Sequence, residues 1–261
     1  MANDIFQRRE IKFMVDSRQR AYLEQAFRGR MVMDPHGEST ICNIYYDTPD
    51  YRLVRASLEK PVYKEKLRMR SYGRAREEDP VFLELKKKYD GVVYKRRILL
   101  PQKDAAAFMA GRSPLPQPSQ IGRELDYCRR FYRDLQPAVY LCYDRSPWYA
   151  AEDPDFRATF DKNIRWRQED LRLSAPIGGQ RLLLPSLSLF EVKAAEAIPL
   201  WLAEGVLSRS PVRTGLHATH GHNAIDVIAL NTEAFDKSLG SRRAQPAIRE
   251  APSRRIPQWS H

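Results

Sequence analysis

Between residues 63 and 97 charged and uncharged side chains alternate so regularly that the segment reads as a set of strands. Successive side chains on a strand point to opposite faces. Lys64, Lys66, Arg68 and Arg70 therefore share one face of the first run. In the second run Glu84 and Lys86 lie opposite Val81, Leu83 and Leu85, and in the third Lys95 and Arg97 fall together. Asp90-Gly91 between the last two runs is the dipeptide of a tight hairpin, which makes them antiparallel neighbours. One sheet thus carries many cations and a carboxylate on one side and apolar residues on the other. An isolated sheet of this kind reads equally as an ordinary solvated face. Its recurrence along the chain is what favours an enclosed charged site.

The recurrence is easily traced. Near the start, Arg8, Glu10 and Lys12 alternate with Ile11, Phe13 and Val15. Asp16 or Ser17 caps an expected helix over residues 18–27, with Gly29 to stop it. Residues 41–46 read as a strand and 47–50 as a turn. A short helix is expected over 104–109. A longer one begins at Ser119, with Ile121, Leu125, Cys128, Tyr132 and Leu135 as its apolar stripe and Pro137 beyond its end. Residues 138–144 form a strand with Arg145 just past it. Arg157, Thr159 and Asp161 share a side, and residues 164–167 repeat the theme with Arg165 and Arg167. The last strand, 187–193, carries Glu191 and Lys193 on one face. Helices are expected over 199–207 and 223–230. From residue 237 the chain is basic and poor in aliphatics and reads as a disordered tail, so the domain is expected over 1–236 and the tail over 237–261.

Of the 261 residues, 43% are hydrophobic, enough for a substantial core. The economical arrangement is α+β: an antiparallel barrel whose apolar outside is covered by helices and whose interior is charged. Such an interior is costly unless its charges are paired or meet a highly charged ligand with its metal ions. The formal charge of +11 calls for an anionic partner. No run of about 18 apolar residues is present, so no direct membrane span is expected. Three scattered cysteines, with neither metal nor disulfide spacing, suit a reducing cytoplasm. There is no Walker-type or kinase-type glycine loop.

The motifs in their order resemble the vacuolar transporter chaperone (VTC) domain, a polyphosphate polymerase domain of the triphosphate tunnel metalloenzyme superfamily. The resemblance spans residues 8–230. It rests on Glu10 with Lys12-Phe13, Tyr45-Tyr46-Asp47-Thr48, Lys66-Leu67-Arg68-Met69-Arg70, Phe82-Leu83-Glu84-Leu85-Lys86, Lys95-Arg96 and Tyr143-Asp144-Arg145. Residues 157–161, Asn163-Ile164-Arg165, Glu191-Val192-Lys193 and Pro199 with Trp201 complete the set. The resemblance implies an eight-stranded antiparallel β-barrel, a triphosphate tunnel with a charged lumen and helices packed outside. It implies phosphate contacts from Lys12, Arg68, Arg70, Lys86, Lys95, Arg157 and Arg165, and a metal-binding carboxylate at Glu191. Arg145 and Lys193 are added to the expected phosphate contacts. Glu10 and Glu84 join Glu191 as expected ligands of Mn²⁺ or Mg²⁺. The family's Ser-Lys-Tyr triplet is replaced by Thr219-His220-Gly221-His222, leaving His220 where a phosphate-binding lysine is usual and weakening the polymerase expectation. A transition-metal site at His217, His220 and His222 lacks a matching carboxylate.

The expected activity is transfer of the ATP γ-phosphate to a growing polyphosphate chain, with metal. Arg and Lys neutralise phosphate oxygens, and one or two carboxylates suffice for the metal because the phosphates complete its shell. Two alternatives share this lining: a tunnel triphosphatase acting on triphosphate or NTP, and a non-catalytic polyphosphate-binding module. Carboxylates among the cations argue against nucleic acid as partner. The resemblance also implies a cytoplasmic site of action, at the inner face of a membrane if a membrane-protein partner exists.

Overall fold

The computed structural model describes residues 9–207 except 60, 91, 154 and 196. In chain order its elements are β1 (Arg9–Asp16), α1 (Ser17–Phe27), β2 (Met31–Met33), β3 (Ser39–Asp47), α2 (Arg52–Leu58), β4 (Tyr63–Tyr72), β5 (Pro80–Tyr89) and β6 (Val92–Pro101). Then follow α3 (Gln102–Met109), α4 (Gln120–Tyr132), β7 (Gln136–Ala150), β8 (Arg157–Arg167), β9 (Gln180–Arg181), β10 (Leu187–Ala194) and α5 (Leu200–Leu207). The helix expected over 223–230, the domain boundary at 236 and the basic tail lie outside the described residues.

Local chemistry explains most of these boundaries. Asp16 closes a capping box at α1: its carboxylate accepts from the Gln19 amide at 2.8 Å, and the Gln19 side chain accepts from the Asp16 amide at 2.9 Å. Ser119 caps α4 by accepting from the Gly122 amide. Asp90 takes φ 42° between β5 and β6, the left-handed conformation of a tight hairpin turn. Helix α2 has no signal of this kind, because Tyr51 at its start caps nothing with its own side chain. The cap comes from farther back. One Asp47 carboxylate oxygen accepts from the Thr48 and Leu53 amides, and the other from the Val54 amide.

The strands form one antiparallel sheet in the order β1-β10-β8-β7-β3-β4-β5-β6, with β2 added to β7 and β9 added to β8. The sheet curls so that side chains of all eight strands on this path line one cavity. No ladder joins β1 to β6 among the described residues, so the curled sheet meets itself there along a seam.

Alternation sends the other face of the sheet into two outer cores. Leu67 and Met69 of β4, Val81, Leu83 and Leu85 of β5, and Leu100 of β6 are buried with Phe108 of α3 and with Leu125 and Cys128 of α4. Phe13 and Val15 of β1 and Phe190 and Val192 of β10 are buried with Leu23 and Phe27 of α1 and Leu202 of α5. The Phe160 and Phe190 rings stack at 4.7 Å across β8 and β10. At roughly 25 cal/mol per Å² of apolar area, these two cores are the main drive for wrapping the sheet. The wrapping gathers the charged face inward.

Candidate functional site

The gathered face encloses a cavity of about 390 Å³, lined by ten Lys and Arg and only four Asp and Glu. Register sets which charges meet. Lys66 of β4 lies opposite Lys86 of β5, and Lys86 lies opposite Lys95 of β6. Three lysines thus stand in one row across three strands, a pairing that sheets ordinarily avoid because like charges face each other. The next row is Arg68, Glu84 and Arg97, in which a carboxylate separates two guanidinium groups. Glu84 takes both Arg68 and Arg70 as ion-pair partners. Arg68 also donates to the Tyr45 hydroxyl at 2.9 Å, and Arg70 donates to the Asn43 side-chain oxygen at 3.2 Å. Neighbouring β3 thereby aims both guanidinium groups along the cavity.

The facing wall is paired throughout. Lys12 of β1 sits 3.1 Å from both Glu10 and Glu191, and Glu191 also holds Lys193. Arg145 of β7 grips Asp161 of β8 with two parallel bonds of 2.7 Å. Burial works against the Lys12 ammonium, but the Glu191 and Glu10 carboxylates outweigh it and its pKa is raised. Burial would likewise raise Glu191, yet Lys12, Lys193 and Arg145 hold it well below the usual carboxylate range. On the lysine row the balance is reversed. Burial, opposed by Glu10 but reinforced by Lys95, Lys66 and Lys12, lowers Lys86 to about 7. Lys95 is lowered as well, chiefly by burial and by Lys193. Neither Lys86 nor Lys95 has an ion-pair partner among the described residues.

Of the residues singled out in the sequence, Glu10, Lys12, Arg68, Arg70, Glu84, Lys86, Lys95, Arg145, Glu191 and Lys193 are brought together on this cavity. Arg157 stands apart from them, at a wider, adjoining space of about 1110 Å³ that shares Arg70, Lys95, Arg145, Glu191 and Lys193 with the first. Arg165 is not brought in. Simple alternation would place it with Arg157 and Asp161, but the β7–β8 register shifts between Cys142 and Asp144, and Asn163 takes φ 51° at the irregularity. A bulge of this kind reverses which face the following residues occupy. Ile164 turns into the cavity, and Arg165, paired with Cys142, turns out. His220, with His217 and His222, lies outside the described residues. Tyr45, Tyr143, Asp161, Lys66 and Arg97 also line the cavity without having been named as site residues. Lys66 and Arg97 carried the parity signal of their neighbours, and the two tyrosines became recognisable only once β3 and β7 were adjacent.

Among the described residues no three His, Cys, Asp or Glu side chains come together as a metal cage. Glu10 and Glu191 are the carboxylates that do meet, through Lys12. Two carboxylate donors suit Mg²⁺ or Mn²⁺ when a ligand's phosphate oxygens complete the shell, so the donor set fits such an ion. No helix among the described residues is long and apolar enough to cross a membrane.

Comparison with known proteins adds the following. The family model of the VTC domain matches residues 7–213. No curated protein matches the chain in sequence. Among solved structures, a candidate adenylate cyclase of Bacillus halodurans is similar at 11% identity and TM-score 0.45, over 94% of this chain and 96% of that one. A candidate adenylyl cyclase of Hippeastrum with a dominant triphosphatase activity is 14% identical, with TM-score 0.38, over 88% of this chain and 87% of that one. The triphosphatase of the Mimivirus capping enzyme is 10% identical, with TM-score 0.32, over 75% and 84%.

Proposed function

The chain belongs to the VTC domain family, and from that premise we propose that it is a metal-dependent phosphotransferase whose substrates are ATP and a linear phosphate chain. The row of Lys66, Lys86 and Lys95 is the observation that carries this reading. An enclosed row of like charges is unfavourable on its own and becomes favourable when a polyanion lies along it. Arg68 and Arg70, held by Tyr45, Asn43 and Glu84, offer forked donors to the same ligand. Arg145, Lys193 and Arg157 continue the cationic lining toward the wider space.

In the proposed reaction a terminal oxygen of the phosphate chain bonds to the γ-phosphorus of ATP. The bond from that phosphorus to its bridging oxygen breaks, and ADP leaves with the electron pair. Such transfer needs positioning and charge stabilisation more than a covalent catalyst. Glu10 and Glu191 would hold Mn²⁺ or Mg²⁺, which supplies neutralisation of the non-bridging oxygens, while Glu84, expected as a third ligand, is engaged by Arg68 and Arg70 on the facing wall. Lys12 keeps Glu10 and Glu191 close together and charged.

Hydrolysis of a triphosphate is a second reading. It is favoured by the lining of the cavity, in which the aliphatic side chains of Ile164 and Leu189 stand among the charged ones. A membrane partner is not part of the proposal. Incubation with ATP and Mn²⁺, followed by chain-length analysis, tests both readings. Long-chain product together with ADP supports the polymerase. ADP and orthophosphate alone support the hydrolase, and no turnover of ATP or tripolyphosphate overturns both.

A further inference from the structure

The wide space beside the cavity has two unlike walls. Arg145, Arg157 and Lys193 line one of them, on β7, β8 and β10. The other belongs to β4, β5 and β6. There the parity that points Lys66, Arg68, Lys86 and Lys95 inward continues to the strand ends with a change of chemistry. Arg70 lies opposite Phe82, and Phe82 lies opposite Leu99. Tyr72 follows Arg70 on the same face of β4. Past the lysine row and the row of Arg68, Glu84 and Arg97, the lining thus turns aromatic and aliphatic.

Tyr72, Phe82 and Leu99 all line the wide space, and among the described residues none of them belongs to either outer core. Tyr72 is 60% exposed and Leu99 59%. Both nonetheless have fixed neighbours. The Tyr72 and Phe82 rings meet edge to face with centroids 6.2 Å apart, and the Arg97 guanidinium lies over Phe82 at 5.1 Å. A single exposed aromatic needs no explanation. A propped aromatic pair beside a leucine, inside a cationic enclosure, is an apolar surface that lacks a partner. Its distance from the phosphate row identifies that partner. Phe82 stands four residues from Lys86 along β5, roughly 13 Å at the usual strand rise. An extended nucleoside triphosphate spans that distance from its terminal phosphate to its base, and a space of about 1110 Å³ has room for the nucleoside.

We propose that Tyr72, Phe82 and Leu99 form a nucleoside shelf: the base of a nucleoside triphosphate stacks on Tyr72 beside Leu99 while its terminal phosphate reaches the lysine row. Stacking uses the π-face that every base presents, so the shelf accepts nucleotides without choosing among bases, and larger purine faces gain most. It does choose between a nucleotide and a bare phosphate chain, which has nothing to lay on it. Tyr72 is therefore a specificity-determining residue for the phosphate site.

This inference rests on the phosphate reading of the site, and the experiment separates the two. The full chain is titrated by calorimetry with ATP and with tripolyphosphate, divalent metal being withheld so that neither turns over. Tyr72→Ala is expected to weaken ATP at least about fivefold, the scale of losing one stacking partner, and to leave tripolyphosphate within about twofold of wild type. Tyr72→Phe should keep the wild-type ATP affinity, because the ring and not the hydroxyl does the stacking. GTP and CTP should weaken alongside ATP in Tyr72→Ala, CTP least. Equal changes for ATP and tripolyphosphate, or no change for either, overturn the shelf and leave the phosphate reading standing. Wild-type protein that binds neither ligand overturns both. Leu99→Ser, at an equally exposed position, is the second variant and decides if Tyr72→Ala fails to fold. It should weaken ATP at least about twofold by removing apolar contact and should spare tripolyphosphate; equal effects on the two ligands overturn the shelf here as well.

Discussion

The two walls of the cavity carry the same kinds of side chain and keep their charges in opposite ways. On β1, β10, β8 and β7 each cation meets a carboxylate: Lys12 with Glu10 and Glu191, Lys193 with Glu191, Arg145 with Asp161. On β4, β5 and β6 the Glu84 carboxylate serves both Arg68 and Arg70, while Lys86 and Lys95 stand beside other lysines. The first wall is complete without a ligand. The second is complete only with one. A buried network that satisfies itself holds shape, and a buried surplus of one sign holds free energy that an incoming polyanion releases. The comparison therefore separates side chains that build the site from side chains that bind in it, and substitutions on the two walls are expected to act with opposite sign on stability.

The largest effect is expected on the paired wall. Glu191→Gln leaves Lys12 and Lys193 short of their shared carboxylate, and breaking a buried pair of this kind costs about 3–5 kcal/mol. The urea midpoint should fall accordingly, and metal-dependent turnover should be lost. An unchanged midpoint would remove the distinction between the walls.

On the other wall, Arg68→Ala is expected to weaken tripolyphosphate binding by about 2 kcal/mol, the scale of a charge-assisted bond in a partly desolvated site. Arg68→Lys should recover part of the loss by restoring charge without the fork. Lys103, which pairs with Glu78 on the exposed surface, supplies the control: Lys103→Ala should leave calorimetric affinity unchanged. Equal losses at Arg68 and Lys103 would mean that binding follows net charge alone.

The smallest effect is the most discriminating. Lys86→Met removes a buried cation that has no carboxylate partner and is expected to stabilise the fold by about 1 kcal/mol or more while weakening the ligand. The pH dependence carries a fixed sign. In the unfolded chain the Lys86 amine keeps its proton up to the ordinary value of 10.5, whereas in the fold burial and then the neighbouring lysines release it near pH 7. The unfolded state binds more protons across that interval, so stability contributed by this group rises as pH climbs from about 7 toward 10.5. Lys86→Met should flatten the rise. Tripolyphosphate favours the ammonium form, so its affinity should fall by up to about tenfold per pH unit above 7 in the wild type and not in Lys86→Arg. A parallel pH profile in that variant would assign the titration elsewhere.

Much of this was legible in the sequence because it depends on parity. The inward placement of Lys66, Arg68, Arg70, Glu84, Lys86 and Lys95 needs only a period of two. The α4 stripe and the Asp16 cap are likewise local signals. Arg165 was illegible for the complementary reason: a single residue, Asn163, in a left-handed conformation reverses parity, and nothing nearby in the sequence marks the reversal. Helix α2 was hidden because its cap, Asp47, lies outside the helix behind a turn.

The β1–β10 ladder sets Arg9 against Ala194 and Lys12 against Glu191, joining the first described strand to the last. The hairpins from β3 through β6 can form as soon as they are made, since each strand pairs with a neighbour in sequence. The carboxylates Glu10 and Glu191 cannot meet until almost the whole described length has been synthesised. During translation, therefore, the lysine row is assembled while its opposing wall is still missing, and a nascent chain exposes an open cationic trough to every polyanion around the ribosome. Completing β10 ends that exposure, and among the described residues the last strand to be made is also the one that brings the two carboxylates together.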